Sequence, residues 1–183
     1  MGVIRKVFVD WDAVDWRDNP DFSEEYDDIT PYVIKAICID RGKKTEDGNI
    51  PAGILDLTLS NKDGRFSPYM PSPSPLYGKI RPWLPVSVQV SIDGVEFEVI
   101  YTGFISKISI NPDLDTQEAY LYCTDGADLL ARNMVTQDTS DRTVTSDGGA
   151  VGKVLDIAGW SSSKRSIDIN GGNIVKYPTC YES

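Results

Sequence analysis

Residues 55–85 read LDLTLSNKDGRFSPYMPSPSPLYGKIRPWLP. Leu55, Leu57 and Leu59 alternate with Asp56, Thr58 and Ser60, the period-2 pattern of a strand with one face in a core. Asn61-Lys62-Asp63-Gly64 follows with turn chemistry, because Asn and Asp bond nearby backbone and Gly accepts a positive φ. Prolines then stand at positions 68, 71, 73, 75, 82 and 85, with Tyr69, Tyr77 and Trp83 among them, which rules out a helix or a central strand. Val86 to Ile92 alternates again, so the chain returns to the same kind of sheet. A crossing of this length inside one domain is either a binding loop or a rigid crossover.

Outward from this stretch the chain reads as mainly β. Val3, Val7 and Val9 alternate with Ile4, Lys6 and Phe8 in a first strand. Lys35 to Asp40 and Glu118 to Thr124 are apolar on both parities, the pattern of strands covered on both faces. Asp93-Gly94 between Val86–Ile92 and Val95–Tyr101 signals a tight hairpin, and Gly103 signals a bulge or bend that curls a sheet. Ile105 to Ile110 continues that arm, and Asn111 to Asp115 is a turn. The expected architecture is an antiparallel β-barrel or sandwich of six or seven strands over residues 1–132, with a long proline-rich loop at 68–85.

Beyond residue 132 the period changes. Asp125 is placed to cap a short helical turn through Ala131, and Ser146 to cap a helix over about 147–158 with Val151, Val154, Leu155 and Ala158 on one stripe. Gly159 suits the C′ position, with Trp160 packing back on Leu155. Residues 133–145 read as a connector, and residues 133–183 as a small α+β segment holding the start of a second domain.

Composition narrows the chemistry. The 183 residues contain no histidine, which excludes a Ser-His-Asp triad, a Cys-His dyad and a His-ligated zinc, leaving carboxylate-pair or lysine-based hydrolysis among the ordinary options. Lys and Arg number 18 against 28 Asp and Glu, so the net charge is −10, contrary to the basic face that nucleic-acid binding requires. The same charge suits a wall past which DNA slides without sticking. Cys38, Cys123 and Cys180 are odd in number and widely spaced, with the first two in strand-like runs, so buried free thiols are expected. No apolar run approaches the length of a membrane span, and MGVIRKVFVD turns charged too early for a signal peptide. Residues 10–28 carry nine carboxylates with Trp11, Trp16, Phe22 and Tyr26 between them, but no D-x-D-x-D-G calcium loop, so a solvated acidic loop is expected there.

The order of these features resembles a family. N-x-D-G-R-F-S-P at Asn61 to Pro68, S-P-L-Y-G-K-I-R-P at Ser74 to Pro82 and P-V-x-V at Pro85 to Val88 are similar to the N-terminal region of tailed-bacteriophage minor tail proteins and, more broadly, the tail-hub (baseplate hub-like) family. Asp28-Ile29-Thr30-x-Tyr32-Val33, Arg41-Gly42, Ala52-Gly53, Tyr101-Thr102-Gly103-Phe104-Ile105 and Asp125 before Leu129-Leu130 follow in order, so the resemblance spans roughly residues 28–169. It implies a tail-tube/hub-like barrel in a structural virion protein at the tail tip, without enzymatic activity, metal or cofactor. It also implies a homo-oligomer, a trimeric ring, joining the tail tube to host-recognition components. Tape-measure protein or DNA would pass through the lumen without specific binding, and no membrane is involved. In that family the helix and Ala158-Gly159-Trp160 precede a further mixed domain, so the chain reads as a short member, a truncated chain or a fragment.

A proline-stiffened loop loses little entropy on binding, which makes Pro68, Tyr69, Pro75, Tyr77 and Arg81 the expected subunit interface. Two other readings remain. Trp11, Trp16, Tyr69, Tyr77 and Trp83 among acidic residues would suit a carbohydrate-binding module of a phage tail or cell-surface protein. A carboxylate-pair glycosidase is the weaker alternative, because no carboxylate sits in a recognisable framework.

Overall fold

The computed structural model describes residues 2–14, 19–41, 51–68, 74–111, 113, 116–132, 147–160 and 162. The chain divides into two compact units, residues 1–128 and 129–183.

The first unit is a single six-stranded antiparallel sheet: β1 (Ile4–Val9), β2 (Cys38–Asp40), β3 (Ile54–Ser60), β4 (Pro85–Ser91), β5 (Glu98–Ile110) and β6 (Glu118–Thr124), in the order β1-β4-β5-β6-β3-β2. Leu55, Leu57 and Leu59 of β3 all enter the core, as their alternation predicts. Across β6 they meet Cys123, Leu121 and Ala119, which are also buried. Val7 and Val9 on β1 lie against Val88 and Val86 on β4 and complete the layer.

The sheet is curled, and β5 carries the curl. Its first half pairs with β4 and its second half with β6, with Phe104 facing Pro85 on one side and Thr124 on the other. Register shifts leave Ile100 and Ser106 as extra residues on either side of Gly103. Gly103 itself serves a close approach: a Cβ there would stand 2.5 Å from the Tyr101 hydroxyl and 2.6 Å from the Thr124 carbonyl oxygen. The sequence expectation of a bulge at Gly103 is thus displaced by three residues in each direction, because the glycine makes room for the Tyr101 ring and its neighbours take up the bend.

Residues 28–34 stitch the two sides of the curl. The Ile29 N–H donates to the Val7 carbonyl, the Val7 N–H to Thr30 Oγ1, and the Ile34 N–H to the Thr58 carbonyl. Isolated bridges Phe8–Asp28 and Val33–Leu59 accompany them. Short 3-10 turns at Glu25–Asp27 and Thr30–Tyr32 carry the chain across, and Lys35 anchors the far end on Glu118 at 3.1 Å. Among the described residues no strand ladder joins β1 to β2 or β3.

Three local expectations are corrected. Lys35 to Asp40 yields only the three-residue β2, with Ile37 and Ile39 half-buried and Cys38 exposed, because an edge strand of a one-layer sheet has a single core face. Glu118 to Thr124 is likewise one-faced: Tyr122 is exposed while Cys123 is buried, and burial pushes the Cys123 thiol well above its usual range. The connection at Asp93-Gly94 is a six-residue loop, Ile92 to Phe97, rather than a two-residue turn. Asp93 Oδ1 accepts from the Val95 and Glu96 N–H groups and from Ser91 Oγ, which wraps the backbone around the carboxylate and lowers its pKa. Cys180 and the connector 133–145 lie outside the described residues.

Two helices follow β6: α1 (Gly126–Arg132) and α2 (Asp147–Ile157). Asp125 caps α1 as expected, accepting the Ala127 N–H on Oδ1, while Oδ2 accepts the Gly53 N–H. A Cβ on Gly53 would meet that oxygen at 2.6 Å. The end of α2 also matches expectation: Gly159 has φ 77°, and the Trp160 N–H donates to the Leu155 carbonyl five residues back. The expected apolar stripe is not wholly covered, because Val151 and Val154 stay exposed and the short described part of this unit supplies no apolar layer to cover them.

Candidate functional site

The turn leaving β3 is built by Asn61. Its buried side chain accepts the Phe66 N–H on Oδ1 and donates from Nδ2 to Ser67 Oγ, while its carbonyl accepts the Gly64 N–H. Gly64, at φ 71°, takes the left-handed position that the sequence assigns to it. This knot drives Phe66 into the core, edge-on to Tyr32 at 5.5 Å and tilted against Trp11 at 6.2 Å.

The chain is described again from Ser74, whose hydroxyl donates to the Arg65 carbonyl and accepts the Leu76 N–H. Two adjacent residues then take opposite fates: Leu76 is wholly buried, while Tyr77 is 57 % exposed. Gly78 turns the chain at φ 75°, and Leu84 buries a second anchor. Between them Trp83 adopts φ 70°, which is costly for a bulky residue. Two backbone bonds fix it there: the Trp83 N–H donates to the Ile105 carbonyl at 2.6 Å, and the Ile105 N–H donates to the Leu84 carbonyl at 3.0 Å.

The acidic segment packs beside this loop, and two of its carboxylates are not solvated. Asp10 is buried and accepts N–H groups from Asp12, Ala13 and Asp21, so it folds the loop around itself. Asp27 is buried and accepts from the Trp11 and Glu24 N–H groups. Desolvation raises its pKa to about 6 against the pull of those two N–H donors, with the charges of Asp10 and Asp12 adding to the rise. The sequence expectation of a solvated acidic loop is corrected at these two positions, where backbone N–H groups replace water. Among the described residues no group of three or more Cys, Asp or Glu side chains is arranged to hold a metal ion.

Lys79 and Arg81 tie the proline segment to the acidic one. The Lys79 ammonium lies 2.7 Å from Asp12 Oδ1, donates to the Tyr26 hydroxyl at 2.8 Å, and stands 4.2 Å from the Tyr26 ring centroid. The Tyr26 hydroxyl also bonds Asp12. Hydrogen bonds from Lys79 and Tyr26 hold the Asp12 carboxyl below its usual pKa; desolvation works against the Lys79 ammonium, but its bonds to Asp12 and Tyr26 raise its pKa. Arg81 donates to the Ala13 carbonyl. Nothing in local sequence announces these links, since 67 residues separate Asp12 from Lys79 and neither belongs to a periodic run.

Of the expected interface residues, Pro75 and Tyr77 are exposed and Pro68 is half-buried. Arg81 is exposed but engaged with Ala13, and Tyr69 lies outside the described residues. Of the aromatics considered for sugar binding, the described ones do not gather, Trp11 being buried in the core, Trp83 half-buried and Tyr77 exposed, while Trp16 and Tyr69 lie outside the described residues. A different group does gather, around an open cleft of about 600 Å³ between the 3-10 turns and the proline segment. Tyr26, Tyr32, Glu25, Asp28, Arg65 and Pro75 line it, with the Arg65 guanidinium 4.5 Å from the Tyr32 ring centroid.

A scan of the sequence against protein-family models finds no match, and a search of curated proteins finds no significant one. No helix among the described residues is long and apolar enough to cross a membrane.

Proposed function

We propose that this chain is a structural protein of a phage tail tip, a hub or minor tail protein that forms a homo-oligomeric ring, trimeric by the resemblance, between the tail tube and host-recognition components. The observation that carries the reading is the divided character of the proline segment. Leu76 and Leu84 fasten it to its own core, while Pro75 and Tyr77 are held outward. A stiff loop fastened from beneath presents contact area without an ordering cost, which suits an assembly surface rather than a moving lid. The curled six-stranded sheet, bridged across its open side by residues 28–34, fits the expected hub-like barrel. The acidic surface fits a lumen that passes tape-measure protein or DNA without holding it. The role is non-enzymatic and away from any membrane.

Light scattering and negative-stain electron microscopy of the full chain, alone and with tail-tube protein, test this. A closed ring is the expected result. Replacing Tyr69 and Tyr77 together by Ala weakens assembly and leaves the circular dichroism spectrum unchanged. A variant that unfolds, or that assembles as well as the parent, removes the proline segment from the interface.

The cleft lined by Tyr26, Tyr32, Glu25, Asp28 and Arg65 favours a second reading, a carbohydrate-binding module, because it pairs aromatic rings with hydrogen-bonding groups of both signs. Lys79 and Arg65 already lie over these rings, so a sugar would have to compete with them. Glycan-array binding that is lost on Tyr32→Ala would favour this reading over the structural one.

A further inference from the structure

The face of the sheet turned away from the core carries an aromatic strip across β3, β6 and β5. Leu57, Leu121 and Ile108 belong to the core side, so alternation puts their neighbours on the other face. The register then sets Asp56, Tyr122 and Lys107 in one row and Thr58, Tyr120 and Ser109 in the next, about 7 Å along the strands. Tyr122 is 40 % exposed, with the Lys107 ammonium 5.7 Å from its ring centroid, while Lys35 stands 5.6 Å from the Tyr120 centroid and pairs with Glu118. Both distances are near the limit of a cation–π contact, unlike the 4.2 Å of Lys79 on Tyr26 and the 4.5 Å of Arg65 on Tyr32, so the exposed Lys107 yields its ring readily. Among the described residues the Tyr122 hydroxyl and the side chains of Asp56, Thr58 and Ser109 make no hydrogen bond. The strip runs into a cleft. Ile110 pairs with Ala119, so Asn111, whose N–H donates to the Glu118 carbonyl, falls on the same face one row beyond Tyr120. Asn111 lines an open cleft of about 350 Å³ together with Gln117, Lys62, Asp63 and Ser67. Its wall at Gln117 is fixed: that residue is held at φ 44° by the Asn61 N–H on its carbonyl and by its own N–H on the Asp113 carbonyl.

We infer that this strip and cleft bind a neutral oligosaccharide, with the Tyr122 ring as the stacking platform and the cleft taking one end of the sugar chain. Chemistry selects that class. A sugar ring presents C–H groups on its faces and hydroxyls around its rim, so it uses an exposed tyrosine face set among acceptors and donors. The strip supplies both: Asp56 and Lys107 flank Tyr122, and Asn111, Gln117 and Lys62 stand at the cleft. A polyanion finds no basic face here, since Asp56, Asp63 and Glu118 offset Lys107, Lys62 and Lys35, and the chain as a whole carries −10. An apolar protein segment laid on the strip would bury Asp56, Thr58 and Ser109 without partners, which is costly. The whole surface lies within residues 1–128, the first compact unit. It uses no residue of the proline segment and none lining the cleft at Tyr32, so the inference stands apart from both readings above and is compatible with a ring whose contacts are made elsewhere.

Isothermal titration calorimetry of the full chain with cellohexaose, maltohexaose and chitohexaose, and with a heparin hexasaccharide as the anionic control, tests it. Saturable binding of at least one neutral probe, and none of the heparin probe, is expected. Tyr122→Thr keeps a strand-forming residue at an exposed position and should weaken that binding about tenfold with an unchanged Tm, whereas Tyr122→Phe keeps the ring and stays within about threefold of the parent. Lys62→Ala, at the cleft, should weaken it several-fold. Tyr32→Ala and Tyr77→Ala leave it unchanged, which separates this surface from the cleft at Tyr32 and from any ring made through the proline segment. Failure of every neutral probe to bind, preferred binding of heparin, binding that survives Tyr122→Thr or Lys62→Ala, or loss with Tyr32→Ala overturns the inference. So does a Tyr122→Thr variant that loses self-assembly instead of sugar binding, which would assign the strip to a protein partner.

Discussion

Asp27 shows how little a residue type says without its surroundings. Its carboxylate is out of water and faces other acids, and among the described residues its compensation is two backbone N–H groups. Its folded pKa of about 6 lies above the unfolded value of roughly 3.9. The folded state therefore holds the proton more tightly, and this group's contribution to stability is fully present below about pH 4 and is lost as pH rises through 6. Urea denaturation of the parent should show that loss between pH 4.5 and 7.5, with a flatter profile for Asp27→Asn; carboxyl NMR should place the Asp27 midpoint near 6. A midpoint near 4 would contradict the burial described here. Leu57, at 2 % exposure, marks the other extreme of legibility, and Leu57→Ala should cost about 2–5 kcal/mol in the same assay.

At the scale of elements, the proline segment depends on its anchors rather than on its prolines. Leu76→Ala should leave the sheet intact yet raise the rate of proteolytic cleavage within residues 68–80, because the retained Lys79–Asp12 pair is largely exposed and pairs of that kind contribute at most about 1 kcal/mol. Unchanged cleavage would mean that the Asn61 knot and Leu84 hold the segment without Leu76. The strands were legible where alternation was clean, as in β3 and β4. They were misread where both parities are apolar, as at 35–40 and 118–124. An apolar residue on the outer face of a one-layer sheet is tolerated in water, so composition alone counted Tyr122 and Cys38 as core when the structure leaves both exposed.

For the whole molecule, the first unit carries its own core, and every residue of the buried cluster from Val7 to Cys123 lies within it. Residues 1–132 expressed alone should therefore fold cooperatively with a β-type circular dichroism spectrum. Failure to do so would show that the core needs residues from beyond that limit. The alternation of β3 and β4, the turn chemistry at Asn61 to Gly64, the Asp125 cap on Ala127 and the Gly159 helix end were all determined by sequence alone, because each arises between residues at most a few positions apart. The curl of the sheet, the 28–34 stitch, the two buried carboxylates and the Asp12–Tyr26–Lys79 cluster were decided only by tertiary structure. These join residues tens of positions apart, and whether a carboxylate or an aromatic ring ends in water or in the core depends on which distant segment is packed over it.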